Sequence, residues 1–300
     1  MASDRESGPP RFPGRLVPLV LLAPTLLVIG VFLYYPLSRT VQLSFYDVAF
    51  LGTVRRFVGF DNYTTIFGDS ENVGVLVRTA VLSVIVVAGA MAGALGTAAL
   101  LNQRIRGARV YRLLLIWPLA LSTAISGLIF LALVNPTFGL VNRVLRTVGL
   151  DPNWFEEPLL AQGVVVFALI WTRFGYNLVF YTAAYQNLSR DQLDAALVDG
   201  ATAWQRFRYV TFPLLAPMTL FLLVTNTAFA FFDSFAMIHV VTQGGPLDST
   251  TVLMYDIYRN AFEFRRTGYA ASQVMLLFLV VIGLTLLQFR ASRRTVHYGN

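Results

Sequence analysis

Residues 189–217 read Ser-Arg-Asp-Gln-Leu-Asp-Ala-Ala-Leu-Val-Asp-Gly-Ala-Thr-Ala-Trp-Gln-Arg-Phe-Arg-Tyr-Val-Thr-Phe-Pro-Leu-Leu-Ala-Pro, a polar interruption between two apolar runs. Ser189 followed by Gln192 fits a capping box, in which the hydroxyl accepts from the third helical N–H and the amide reaches back. Asp191 places an anion in the first turn, where the helix dipole favours it. Ala195, Ala196 and Leu197 propagate a helix, and Gly200 stands where a left-handed cap would reverse the chain. A second helix starts around Thr202 to Trp204, and Pro213 opens the next apolar run. The stretch therefore predicts a helix, a glycine turn and a second helix leading into an apolar span. On these cues alone an ordinary amphipathic loop remains the alternative.

Outward from this element the chain is mostly lipid-soluble. Uncharged or nearly uncharged runs about 20 residues long suffice to cross a bilayer. They occur at about 16–36, 79–101, 113–134, 163–184, 210–232 and 270–289. The expectation is an all-α polytopic membrane protein with six transmembrane helices. A tail at 1–15, the membrane domain at 16–289 and a tail at 290–300 complete it. The first run is longer than the apolar core of a cleaved signal, and no clear small-residue cleavage site follows it. Between 37 and 76 a structured loop is expected, with a short helix near Asp61 to Phe67. Pro118 should kink the third span or mark its start. In the second span Gly89 and Gly93 form a small-xxx-small pair, with Ala88, Ala92 and Gly96 beside it, which would let helix backbones approach; coincidence in a span so rich in Gly and Ala is the alternative.

The chain has no Cys, which excludes disulfides and thiolate metal sites. It also has no Lys, so all 23 basic residues are Arg and a Walker-A phosphate loop is excluded. Neither His239 nor His297 stands in a metal-binding pattern, and no metal or cofactor is expected. The net charge of +7 sorts by side of the membrane. Six spans put 13 Arg and 5 acids on the side of the termini, 9 Arg and 11 acids on the other, and Arg173 within a span. The short loop carrying Arg104, Arg106, Arg109 and Arg112 has no acid. By the positive-inside bias both termini and the 189–217 element are cytoplasmic. The basic balance then needs no nucleic acid.

With these features in place, Asp194-Ala195-Ala196, three residues, Gly200, nine residues, and Val210-x-Phe212-Pro213 resembles the EAA loop of binding-protein-dependent ATP-binding-cassette (ABC) importer permeases. Asp194 stands where that family has Glu, and Val210 and Phe212 where it has Ile and Leu. Phe57-Val58-Gly59-Phe60-Asp61-Asn62-Tyr63 and the segment around Gly244-Gly245-Pro246 resemble external motifs of its carbohydrate-uptake group. Phe231-Phe232-Asp233-Ser234-Phe235 and Gln288-Phe289-Arg290 through Val296-His297-Tyr298 look most like the glycerol-phosphate permeases within it. The resemblance covers nearly the whole chain. It implies a type I ABC importer permease fold in a bacterial cytoplasmic membrane, with residues 189–213 as a cytoplasmic coupling helix and loop. It further implies a non-catalytic subunit working with a second homologous permease, two ATPase subunits and an extracytoplasmic binding protein.

A charge at membrane depth is costly and marks a functional candidate. With the spans bounded as above, Arg173 is the one such charge. Tyr176 and Asn177, three and four residues on, share its helix face. With Trp171, Asn226 and Asp233 they make a candidate substrate path, because Arg can grip a phosphate bidentately. An Arg paired to a partner subunit or to backbone carbonyls is the plainer alternative. Gly244, Gly245 and Pro246 could form a substrate-handling loop or a plain external turn. The implied cargo is sn-glycerol 3-phosphate or a glycerophosphodiester, with a sugar or oligosaccharide as the alternative. An ion-coupled secondary transporter would show intramembrane acids, and spans bounded in this way contain none.

Overall fold

The computed structural model describes residues 16–49, 54–102 and 107–292. The N-terminal tail, Arg104, Arg106 and the end of the C-terminal tail, with Arg293, Arg294 and Val296 to Tyr298, lie outside these ranges. The chain opens with α1 (Leu16–Ile29), a π-helical turn (Gly30–Tyr34) and α2 (Tyr35–Leu43). Pro36 lies in the first turn of α2, where a missing N–H costs least. A two-stranded antiparallel hairpin follows, β1 (Tyr46–Ala49) and β2 (Val54–Phe57), with Tyr46 opposite Phe57. This hairpin is the one strand pair among the described residues, and a mixed polar loop gave no sign of it.

The expected short helix is present as α3 (Asp61–Gly68). Asn62 Nδ2 donates to the carbonyls of Ser44 (2.9 Å) and Tyr46 (3.1 Å), tying α3 to the hairpin. The second long helix, α4 (Ser70–Leu101), begins well before its apolar run because Asp69 accepts from Glu71 N and caps it. The third span is broken into α5 (Ala108–Ile116), a 3-10 turn (Trp117–Ala120) and α6 (Thr123–Leu133), bent by 108°. Pro118 sits at the bend, and Ser122 restarts the helix by accepting from Ile125 N. After α7 (Leu140–Arg146), α8 (Pro158–Gln186) is the second long unbroken helix.

The polar element follows as α9 (Arg190–Val198), α10 (Ala203–Arg206), a π-turn (Phe207–Thr211) and α11 (Phe212–Leu214). The fifth apolar stretch, Ala216–Val241, contains α12 (Ala216–Phe232) and α13 (Ser234–Val241). It extends nine residues past the boundary expected from the sequence, because Asp233 interrupts the apolar run without ending the helix. α14 (Leu253–Tyr258), a π-turn (Arg259–Glu263) and α15 (Thr267–Ser292) complete the chain.

Among the described residues five helical stretches are long and apolar enough to cross a membrane, and the bent pair, taken as one span, makes a sixth. Many large apolar side chains on their outer faces are exposed, among them Leu22, Phe32, Val84 and Leu279, as suits a hydrocarbon solvent. The core centres on α4 against α8. A Cβ added at Gly89 would lie 2.6 Å from Ile170 Cδ1, and one at Gly93 3.2 Å from Phe174 Cε2, so both glycines serve helix packing. Gly96 has open space beside it within this chain. The first helix is the exception: none of its apolar window is buried within the chain.

Candidate functional site

In the polar element, Gly200 adopts φ +75° and reverses the chain after α9, and Ala201 N donates back to Ala196 O at 3.1 Å. The expected capping box at Ser189 and Gln192 does not form. Ser189 has N-cap backbone angles, but its side chain makes no cap hydrogen bond. The box forms at the second helix instead. Thr202 Oγ1 accepts from Gln205 N (3.3 Å), and Gln205 Oε1 accepts from Thr202 N (2.8 Å). The same S/T-x-x-Q spacing stands at both positions, so sequence could not choose between them. Thr202→Ala is therefore expected to lower local stability by about 1 kcal/mol, and Ser189→Ala by far less. Amide exchange across residues 190–206 measures the difference, and equal loosening by the two variants would contradict it.

Asp194 and Ala195 are exposed, Ala196 is buried, and Gly200 is exposed at the turn. Val210 and Phe212 are half-buried, with the Phe212 ring 6.2 Å from that of Phe207, and Pro213 is exposed inside α11. Leu197, Val198, Trp204 and Tyr209 are also exposed. That is more exposed apolar surface than a solvated polar loop ordinarily carries.

Within the bundle, the structure brings Arg173, Tyr176, Asn177 and Asn226 together. Arg173 Nε donates to Asn226 Oδ1 at 3.1 Å, and its Nη2 lies 3.5 Å from the Thr225 carbonyl. The guanidinium carbon stands 3.8 Å from the Tyr176 ring centre and 4.8 Å from that of Phe229. Asn226 Nδ2 donates to Asn177 Oδ1 (2.6 Å) and Asn177 Nδ2 to Asn226 Oδ1 (3.2 Å), an amide pair closed off from solvent. The pair fixes Asn226, and Asn226 fixes the Arg. An Arg has five N–H donors, so donors remain beyond those spent on Asn226 and Thr225.

Trp171 does not join this cluster. It faces the opposite side of α8, edge-on to Trp117 (5.6 Å) and Phe130 (5.4 Å). Residues 171 and 173 are about 200° apart around a helix, which places them on different faces. Asp233 lies at the α12–α13 junction, exposed, and within electrostatic range of Arg173 without an ion pair among the described residues. The fifth apolar stretch, as the structure bounds it, thus holds an acid, Asp233, near Arg173. Acids are therefore present within the membrane-spanning stretches, contrary to the expectation from the shorter fifth span, and an absence of acids cannot speak against ion coupling.

At the opposite end of the bundle from α9, Gly244 has φ +86°, and an added Cβ would meet Thr251 Oγ1 at 2.5 Å. Thr250 Oγ1 donates to Gly245 O (2.9 Å), and Arg259 pairs with Asp248 beyond Pro246. Three anchors hold this loop that motif reading missed. Arg78 Nε donates to Thr251 O (3.3 Å), Gln162 Nε2 to Ser249 O (2.7 Å), and Leu253 N to Thr79 Oγ1 (2.7 Å). Their sequence separations left no local signal. Nearby, the buried Asp256 accepts from Gln273 (2.6 Å) and Asn260 (3.1 Å). Burial pushes its carboxyl above the usual carboxylate range, against the opposing hydrogen bond from Gln273.

Residues 85–296 match the family described as binding-protein-dependent transport system inner membrane component. The chain is 38% identical over 292 residues to the sn-glycerol-3-phosphate transport system permease protein UgpA of Rhizobium meliloti (strain 1021), covering 96% of this chain and 98% of the relative. Its fold matches a bacterial ABC transporter involved in the import of the acidic polysaccharide alginate, with TM-score 0.80, 23% identity and coverage of 94% and 96% of the two chains. It also matches the bacterial alginate ABC transporter in complex with an alginate pentasaccharide-bound periplasmic protein, with TM-score 0.79, 24% identity and coverage of 95% and 96%.

Proposed function

The chain belongs to the binding-protein-dependent transport system inner membrane components, and from that premise we propose that it forms half of the path by which an ABC importer takes up sn-glycerol 3-phosphate or a glycerophosphodiester. The observation that carries the cargo class is Arg173, held inside an apolar bundle by a buried amide pair with donors to spare. A dianionic phosphate is the cargo that uses such a fork best. The naming of the UgpA relative as a glycerol-phosphate permease supports the same class. A sugar or oligosaccharide remains the second reading, favoured by the aromatic faces of Tyr176 and Phe229 beside the Arg.

In this reading the membrane domain spans 16–289, with both termini and α9–α11 on the cytoplasmic side. Asp194, Ala195, Ala196, Gly200, Val210, Phe212 and Pro213 shape a coupling element that docks on one of two ATPase subunits. A second, homologous permease completes the path. An extracytoplasmic binding protein delivers substrate to the end bearing Gly244, Gly245 and Pro246, as a periplasmic protein accompanies the alginate transporter. The chain performs no chemistry itself, and hydrolysis belongs to the ATPases. Their closure draws the coupling elements together and opens the cavity outward.

ATPase stimulation of the reconstituted complex, with its binding protein and a panel of cargoes, tests the reading. Stimulation by glycerol 3-phosphate or glycerophosphodiesters, and not by neutral sugars, is the expected result. Stimulation by neutral sugars alone would overturn the cargo class. Uptake by the isolated chain without ATP would overturn the whole reading.

A further inference from the structure

We propose that Asp256, Asn260 and Gln273 form a positioning joint, which locks the loop of residues 242–252 to the last helix in the pose that receives the binding protein. The proposal rests on the delivery of cargo at this end of the bundle, and it names the residues that prepare the loop for it. The loop's own backbone calls for such a fixture. Gln243, Leu247 and Asp248 adopt φ of +50°, +51° and +54°. Non-glycine residues persist in that left-handed region only where their surroundings hold them there, and for a Leu it is a true outlier. Leu247 gains no burial from the strain, because it is 91% exposed. A strained turn that presents an apolar side chain instead of covering it is built for a partner.

Two layers of side chains hold this backbone. In the outer layer Asp248 pairs with Arg259, and its Oδ1 also accepts from Thr251 Oγ1 at 3.0 Å. Arg259 follows directly on α14, so the loop is tied to wherever α14 ends. The inner layer fixes that end. Asp256 and Asn260, four residues apart, share a helix face, and Gln273 meets them from α15. Gln273 Nε2 and Asn260 Nδ2 both donate to Asp256 Oδ2, at 2.6 Å and 3.1 Å. Asn260 Nδ2 also reaches Gln273 Oε1 at 3.3 Å, which closes a triangle of three buried side chains. Apolar faces can slide past each other, whereas a closed set of directional bonds to one carboxylate oxygen has a single register. The start of α14 is pinned separately, by Leu253 N on Thr79 Oγ1 of α4. With both ends of this short helix fixed, the loop before it is held in one pose.

The test titrates the binding protein, loaded with glycerol 3-phosphate, against the ATPase activity of the reconstituted complex. Gln273→Leu and Asp256→Ala should each raise the half-saturating concentration of binding protein about tenfold, the loss expected when a pre-organised contact must be ordered on docking. The maximal stimulated rate and the basal rate should stay at wild type. Asp256→Asn is the conservative variant: its carboxamide oxygen can accept both amides, so it should titrate close to wild type. Arg259→Gln cuts only the outer layer, at the surface, and should show a smaller rise of the same kind with folding intact. Amide exchange across residues 242–252 should quicken in Gln273→Leu and Asp256→Ala but not in Asp256→Asn. A responsive wild type with unchanged titration in Gln273→Leu and Arg259→Gln would overturn the joint and leave the delivery reading standing. So would a fall of basal and maximal rates together at unchanged half-saturation, which marks a structural role alone. A wild-type complex that no loaded binding protein stimulates would overturn the delivery reading, and the joint's purpose with it.

Discussion

Arg173→Ala is expected to cut uptake of glycerol 3-phosphate by about 100-fold or more in the reconstituted complex. Each hydrogen bond to a charged group contributes about 1.5–3 kcal/mol, and two made to a phosphate together correspond to a factor of about 100 upward. Arg173→Lys keeps the charge without the planar fork and should fall between, because one ammonium cannot reproduce a bidentate grip. The competing role is structural, since Arg173 already leans on Asn226 and the Thr225 carbonyl. The two roles separate on a neutral cargo and on basal ATPase activity. A binding Arg leaves assembly and basal hydrolysis intact and costs only phosphate-dependent stimulation. A structural Arg costs thermal stability and every cargo alike. Unchanged uptake of phosphate-bearing cargo in Arg173→Ala would remove the residue from the path altogether.

What was legible from sequence followed from local rules. The face shared by Arg173, Tyr176 and Asn177 is a matter of helical spacing. The turn at Gly200 needs a left-handed residue, and the α3 helix was announced by its own residues. Whatever depended on a distant partner was not legible. Trp171 is two residues from Arg173, yet it belongs to the Trp117 and Phe130 cluster because the helix turns it away. The anchors Arg78, Thr79 and Gln162 bond to a loop 87 or more positions along the chain. Composition placed the end of the fifth span at Asp233, but a single carboxylate at an exposed junction does not outweigh the helical run on either side.

Gly268→Ala is expected to have the largest effect on stability, at about 3 kcal/mol, the upper part of the usual overpacking range. Gly268 opens α15 directly against the first loop. A Cβ there would be driven into the Tyr46 carbonyl oxygen, and would stand 3.0 Å from the carbonyl carbon and 3.3 Å from Leu43 O. Backbone is the obstacle, so no rotamer change relieves it. The obstacle is also held in place, because the same Tyr46 oxygen accepts from Asn62 Nδ2 at 3.1 Å. Tyr63 Oη in turn donates to Ser44 Oγ at 2.8 Å. The first-loop motif from Phe57 to Tyr63 thus acts as the clamp that presses β1 onto the last helix. Gly283, further along α15 with nothing within 4 Å of an added Cβ, provides the control. Gly283→Ala should be neutral or slightly stabilising, since Ala is the better helix former. Melting of the detergent-solubilised chain should rank Gly268→Ala well below wild type and Gly283→Ala at or above it. Loosening the clamp with Asn62→Ala should make the double variant less destabilised than the two single changes summed. Strict additivity would mean that Tyr46 is held by something other than Asn62.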